Sequence, residues 1–221
     1  MTEDDLQRLR AQSSPDDYTS MADLARALYS QGLGPREVIR ECYGADFPEE
    51  FFVLAAADPV SLDLMVTCTR LPWQLAVPLD RGGPAARPGA LEDIERKVFA
   101  RDPDLVPLFL GVGHDLSHGG SVHCYSLAEL RAGRTTIFGV WKDVEPHNEV
   151  TRSGDSLLAV LREHHTQYVE WLEEMAWDPA DVRTDPVDEG VVDEVRELIG
   201  VVEELQRRAT LPKPPSAMPS R

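Results

Sequence analysis

The sequence predicts an α+β domain, in which an antiparallel or mixed sheet is packed by N-terminal helices and a long C-terminal helix. Two observations carry that expectation. Apolar residues recur at helical spacing near both ends, from Met21 to Leu28 and from Leu157 to Met175. The middle of the chain instead holds short β-branched and aromatic runs, of which Thr135 to Trp141 is the clearest. With 221 residues, 42% of them apolar, the chain can bury one sizeable core, or one core plus an appendage, and two full domains would be a tight fit.

Residues 1–19 read as a polar segment, because Leu6 and Leu9 give a helix little to bury before Pro15 stops it. The single domain is expected over 20–177. Ser20 can cap a helix carrying Met21, Leu24, Ala25 and Leu28, and Gly32 stands at its C-cap. Pro35 opens a second helix that buries Val38 and Ile39 and ends at Tyr43-Gly44. Asp46-Phe47-Pro48-Glu49-Glu50 opens a third, with carboxylates in the first turn where the helix dipole favours them. The runs Leu62–Thr69 and Gln74–Leu79 are expected as strands. The stretch 81–89 holds three glycines and two prolines and reads as a loop inserted into the domain.

A short helix is expected from Leu91 to Ala100, then a strand buried on both faces from Leu105 to Val112 with an irregular start at Pro107. Gly119-Gly120 makes a turn into a strand from Ser121 to Leu127, and Glu149–Arg152 is the expected hairpin partner of Thr135–Trp141. The long helix follows Ser153-Gly154-Asp155. Residues 178–209 read as an acidic linker and an amphipathic helix, and the tail 210–221, rich in proline, is expected to be disordered. In that last helix Val191, Val195, Leu198, Val202 and Leu205 form a seam of two heptads, too short for an isolated coiled coil. The seam therefore docks on the domain or pairs with a second copy as a homodimer.

Charge excludes some functions. The sequence carries 39 acidic against 22 basic residues, a formal net charge of −17, which argues against nucleic-acid binding and for a basic partner. No apolar run of membrane-spanning length occurs and the first residues are acidic, so a cytoplasmic, soluble protein is expected. Cys42, Cys68 and Cys124 have no C-x-x-C spacing and read as buried thiols.

One cluster has ligand chemistry: His114, Asp115, His118 and His123 lie within eleven residues that end at Cys124. Its spacing fits no zinc pattern, and His123 and Cys124 point to opposite faces of a strand. A small metal-dependent hydrolase built on these residues is the alternative function. The glycines at 111 and 113 lack the third glycine and the following helix of a dinucleotide site, and neither a G-x-S-x-G elbow nor a nucleotide P-loop occurs. No cofactor is expected and the balance of the residues is against an enzyme.

Between Glu163 and Glu204 there are fourteen acidic residues and two arginines. Such a block either keeps the surface solvated or captures a cationic partner. The candidate partner-binding residues are Glu163, Glu170, Glu173 and Glu174 on the long helix, with Asp193, Glu194 and Glu197 beyond it.

Two stretches resemble the SMI1/KNR4 (SUKH) superfamily. The first is Phe47-Pro48-Glu49-Glu50-Phe51-Phe52, which looks like the family's step from one N-terminal helix into the next. The second runs through Leu105–Leu110, Gly119-Gly120, Val122–Leu127, Thr135–Trp141 and Asp155–Leu161, with Tyr125 and Leu127 at the family's tyrosine and leucine and Ser126 where an aspartate is usual. The resemblance covers about residues 35–175. It implies a non-enzymatic α+β domain that binds proteins, often an immunity protein that neutralises a nuclease-type toxin, with the acidic helix meeting the toxin's basic cleft. A self-associating regulatory scaffold is a further alternative.

Overall fold

A computed structural model describes residues 2–85, 91–111, 120–141, 149–176 and 189–211. In chain order these form α1 (Glu3–Gln12), α2 (Tyr18–Ser30), α3 (Pro35–Tyr43), α4 (Glu49–Ala56), β1 (Val66–Cys68), α5 (Asp93–Arg101), β2 (Leu105–Gly111) and β3 (Ser121–Ser126). They continue as α6 (Leu127–Arg131), β4 (Ile137–Trp141), β5 (Thr151–Gly154), α7 (Leu157–Ala176) and α8 (Glu189–Thr210). The expected α+β class holds. The five strands make an antiparallel meander in the order β1-β2-β3-β4-β5.

The sheet is covered on both faces. Val106, Phe109, Tyr125 and Ile137 face the main core, which also contains Met21, Leu28, Ile39, Phe51, Leu54 and Leu161 from the helices. On the other face Leu105, Val122, Cys124 and Val140 pack with Val98 of α5. Strict alternation along β2 is broken because an extra residue enters between Pro107 and Phe109. Val106 and Phe109 therefore oppose Tyr125 and His123 on one face although three residues separate the first pair and two the second.

The helix ends explain much of the local geometry. Asp17 caps α2 through the Thr19 amide, displacing the expected Ser20, whose hydroxyl instead donates to the Asp17 carbonyl. Gly44 closes α3 in the left-handed region at φ 62°, and Arg131 of α6 donates to the carbonyls of Tyr43 and Gly44 at 3.3 and 3.2 Å. Ser126 caps α6 by accepting from the Glu129 amide at 3.3 Å, and Asp104 accepts from the Ala128 amide at 2.9 Å. Glu50 of α4 reaches the start of α7, accepting from the amides of Leu157 at 2.6 Å and Leu158 at 3.4 Å and from the Ser156 hydroxyl at 2.6 Å.

Around that carboxylate sits an aromatic cluster. Phe47 packs edge-on against Phe51 and Tyr125, and Phe51 stacks on Trp73 with ring centroids 4.8 Å apart. Burying a side chain of this size stabilises by about 1.5–3 kcal/mol.

Two expected strands are corrected, and the N-terminal segment and the α8 seam find their places. The run Gln74–Leu79 is not a strand: Gln74–Ala76 and Leu79–Arg81 are single 3-10 turns, bracketed by Pro72 and Pro78 and held by the Tyr29 hydroxyl, which donates to the Leu75 carbonyl at 2.8 Å. The polar N-terminal segment carries α1, where Thr2 and Asp5 form a capping box and Leu6 is 2% exposed in the main core. The seam of α8 is covered within the chain: Val202 and Leu205 lie in the main core and Val195 packs with Val169 and Leu172 of α7. Docking on the domain, the first of the two expected alternatives, is what these contacts show. Of the run Leu62–Thr69, only Val66–Cys68 is strand. Residues 86–90 of the expected loop, Gly119 of the expected turn, the linker at 178–188 and the tail from 212 lie outside the described residues.

Glu95 is wholly buried and accepts three backbone N–H groups, from Arg70 at 3.1 Å and from Leu71 and Glu92 at 2.9 Å. Burial raises its pKa against the pull of those three bonds. The carboxylate ties α5 beneath the sheet to the segment after β1. Glu95→Ala leaves three amides without an acceptor and is expected to lower unfolding stability by about 3 kcal/mol, read as a drop in the denaturant midpoint. Glu50→Ala is expected to cost about 1–2 kcal/mol and to speed amide exchange selectively in the first turn of α7.

Candidate functional site

The seven acidic residues singled out from the sequence are all exposed, on two helices that pack side by side. Periodicity explains the arrangement. Val169 and Leu172 of α7 turn toward Val195 of α8, with Tyr168, Trp171, Val191 and Ile199 packed around them, so the intervening carboxylates are left in solvent. Arg196 links the helices, donating to Glu173 at 2.6 Å and Asp193 at 3.0 Å. These are exposed pairs and contribute at most about 1 kcal/mol.

The structure divides the seven. Glu194 and Glu197 line a cleft of about 720 Å³ formed by residues 62–67, α7 and α8, whereas Glu163, Glu170, Glu173, Glu174 and Asp193 do not. Its apolar lining comes from Leu62, Met65, Val66, Leu198 and Val201. Asp63 adds a third carboxylate, and His164, His165 and Tyr168 complete the α7 side.

The backbone of this wall is strained. Asp63 and Met65 have φ values of 47° and 51°, and a non-glycine residue held in such a conformation costs on the order of 1–3 kcal/mol. His165 holds part of the wall in place. It is 1% exposed, and its Nδ1 and Nε2 lie 2.6 Å from the carbonyl oxygens of Leu161 and Leu64. Both neighbours are carbonyl oxygens, so a ring nitrogen that carries a proton donates to the one it faces.

Of the histidine cluster, His114, Asp115 and His118 lie outside the described residues. His123 stacks on Phe109 with ring centroids 4.7 Å apart and faces the main core, while Cys124 points to the opposite face among Val122 and Val140. That divergence is the one expected from strand geometry. Among the described residues no three metal-ligating side chains are placed to hold an ion. Cys42 and Cys124 are buried and Cys68 half-buried, and burial raises all three thiols, Cys68 to about 11 and Cys42 to about 12. None has the depressed pKa of a reactive thiolate.

His123 has a close neighbour across β2. A Cβ placed on Gly111 would lie 3.3 Å from the His164 ring and 3.5 Å from His123 Nε2, so glycine there admits both imidazoles. Sequence reading missed Asp63, His165 and Tyr168 as parts of one site. His165 leaves no local signal, since its two carbonyl partners include one a hundred and one residues away.

No family model matches the chain, and neither a curated protein nor a solved structure does. Among the described residues no helix is long and apolar enough to cross a membrane.

Burial lowers the pKa of His123 to about 4, and its Nδ1 has no hydrogen-bond partner among the described residues. The unfolded ring, titrating near 6.5, binds the proton first, so this group's contribution is present in full above pH 6.5 and is lost as pH falls toward 4. Glu95 works in the opposite sense, because its raised pKa removes stability as pH rises above the usual 4.5. Subtracting the stability of His123→Phe from that of the wild type between pH 7 and pH 4 isolates the histidine. A fall of about 3 kcal/mol at most is expected in that difference. A flat difference would refute a neutral, buried His123.

Proposed function

We propose that this is a non-enzymatic protein-binding domain that captures a basic protein through the acidic face of α7 and α8. The observation that carries the reading is the exposure of seven carboxylates on two packed helices, with Arg196 bridging only Glu173 and Asp193 among them. A field of one sign accelerates encounter with a cationic surface and selects against anionic ones.

The resemblance to the SMI1/KNR4 (SUKH) superfamily supports the same direction and sharpens it to an immunity protein that occludes a nuclease-type toxin. A nuclease cleft is electropositive because it must attract phosphate, so a carboxylate-bearing helix can occupy it. The two stretches that carry the resemblance meet in space, where Phe47 packs edge-on against Tyr125 and Glu50 reaches Tyr125 and the start of α7. That contact supports a shared architecture for the two stretches and leaves the acidic helix displayed outward.

The test is affinity capture of the tagged chain from the cells that make it, at low and high salt, followed by kinetics with the purified partner. A basic protein that leaves at high salt is expected. The variant carrying Glu163→Gln, Glu170→Gln, Glu173→Gln and Glu174→Gln should associate at least tenfold more slowly at low salt, with a flatter salt dependence and a loss of stability no larger than the roughly 1 kcal/mol of the exposed Glu173–Arg196 pair. A partner that is not basic, or association insensitive to both salt and the four substitutions, rules the mechanism out.

A further inference from the structure

We propose that the cleft between residues 62–67, α7 and α8 receives an arginine side chain of the basic partner, and this rests on the protein-binding reading above. Its volume of about 720 Å³ lies within the range of built ligand sites, roughly 300–1,000 Å³. The lining is amphipathic in the way an arginine is. Leu62, Met65, Val66, Leu198 and Val201 are half-buried and can cover an apolar stem, while the exposed carboxylates of Asp63, Glu194 and Glu197 can meet a cationic head.

Among the described residues these three carboxylates, like Glu163, Glu170 and Glu174, take part in no ion pair, whereas Glu173 and Asp193 share Arg196 and Glu204 holds Arg207. Three carboxylates line the cleft and no lysine or arginine does, so its charged lining is acidic. Glu194 and Glu197 are three residues apart and share one face of α8, which lets both address a single group. Guanidinium suits the place better than ammonium. It is planar, weakly hydrated and offers several N–H donors to carboxylates on more than one side, whereas lysine presents a compact, strongly hydrated charge. The strained conformations at Asp63 and Met65 fall on this wall, where a strained backbone is held in place by the packing around it.

The experiment titrates the full-length, isotopically labelled protein with the peptide acetyl-Gly-Arg-Gly-amide and follows backbone amide shifts. Its lysine and citrulline counterparts serve as comparisons. Saturable shifts are expected at Thr67, Glu194 and Leu198, severalfold weaker with lysine and absent with citrulline, which keeps the shape and loses the charge. Glu194→Gln with Glu197→Gln should weaken arginine binding at least tenfold while leaving the remaining amide spectrum in place. The proposal is overturned if the shifts map instead to the outer turns of α7 and vanish in the four-glutamine variant. In that case the basic-partner reading stands without the cleft. It is overturned equally if citrulline binds as arginine does, or if no saturable shift appears at the cleft. Binding at the cleft by a protein that captures no basic partner would keep the arginine site and remove the reading of the acidic face.

Discussion

The Glu50 carboxylate lies where three parts of the chain meet, and the position of α7 depends on it. The first amides of a helix have no partner within it, and at α7 those amides are set against the aromatic cluster, where water is scarce. A carboxylate supplies both the acceptor and the negative charge that the positive end of the helix favours. Because Glu50 belongs to α4, the same contact fixes α4 to α7 across more than a hundred residues of sequence. Tyr125 comes within 3.4 Å of the same carboxylate, which brings in the central strand, and burial together with that carboxylate raises its hydroxyl far above an ordinary phenol. Once α7 is placed, α8 can pack only along its apolar side, and the acidic face and the cleft follow from that packing.

The same constraint recurs at smaller scale. Asp104 serves α6, Arg131 serves the end of α3, and Glu95 serves both its own helix and the segment at 70–71. In each case a charged side chain from one element completes the hydrogen bonding of another, so the packing of helices on the sheet is specified by polar contacts as well as by apolar area.

What the sequence revealed follows the range of the interactions involved. The helices from Tyr18 to Ala56 and the strand Ile137–Trp141 are written in local periodicity and in residues such as Pro35 and Gly44. The 3-10 turns at Gln74–Ala76 and Leu79–Arg81 were not legible, because a six-residue apolar run fits strand or turn equally well and the deciding bond comes from Tyr29, far away in sequence. The value of Leu6 was missed for the same reason, its partners all lying elsewhere in the chain. Of the site, the exposure of Glu163, Glu170, Glu173 and Glu174 was legible from helical spacing. The cleft was not, since it arises only when residues 62–67 are brought beside Glu194 and Glu197, and no local pattern records that approach.

Val202 and Leu205 of α8 share a core with Leu6, so nearly the whole length of the chain contributes to one cooperative unit. During synthesis on the ribosome, residues emerge from the amino end, and the groove that α8 fills on α4 and α7 stays open until residue 205 has left the exit tunnel. A nascent chain lacking that helix presents apolar surface to its surroundings and is a substrate for chaperones. This core therefore closes only once α8 is in place, and a chain stalled or clipped before α8 exposes apolar surface that the folded domain hides.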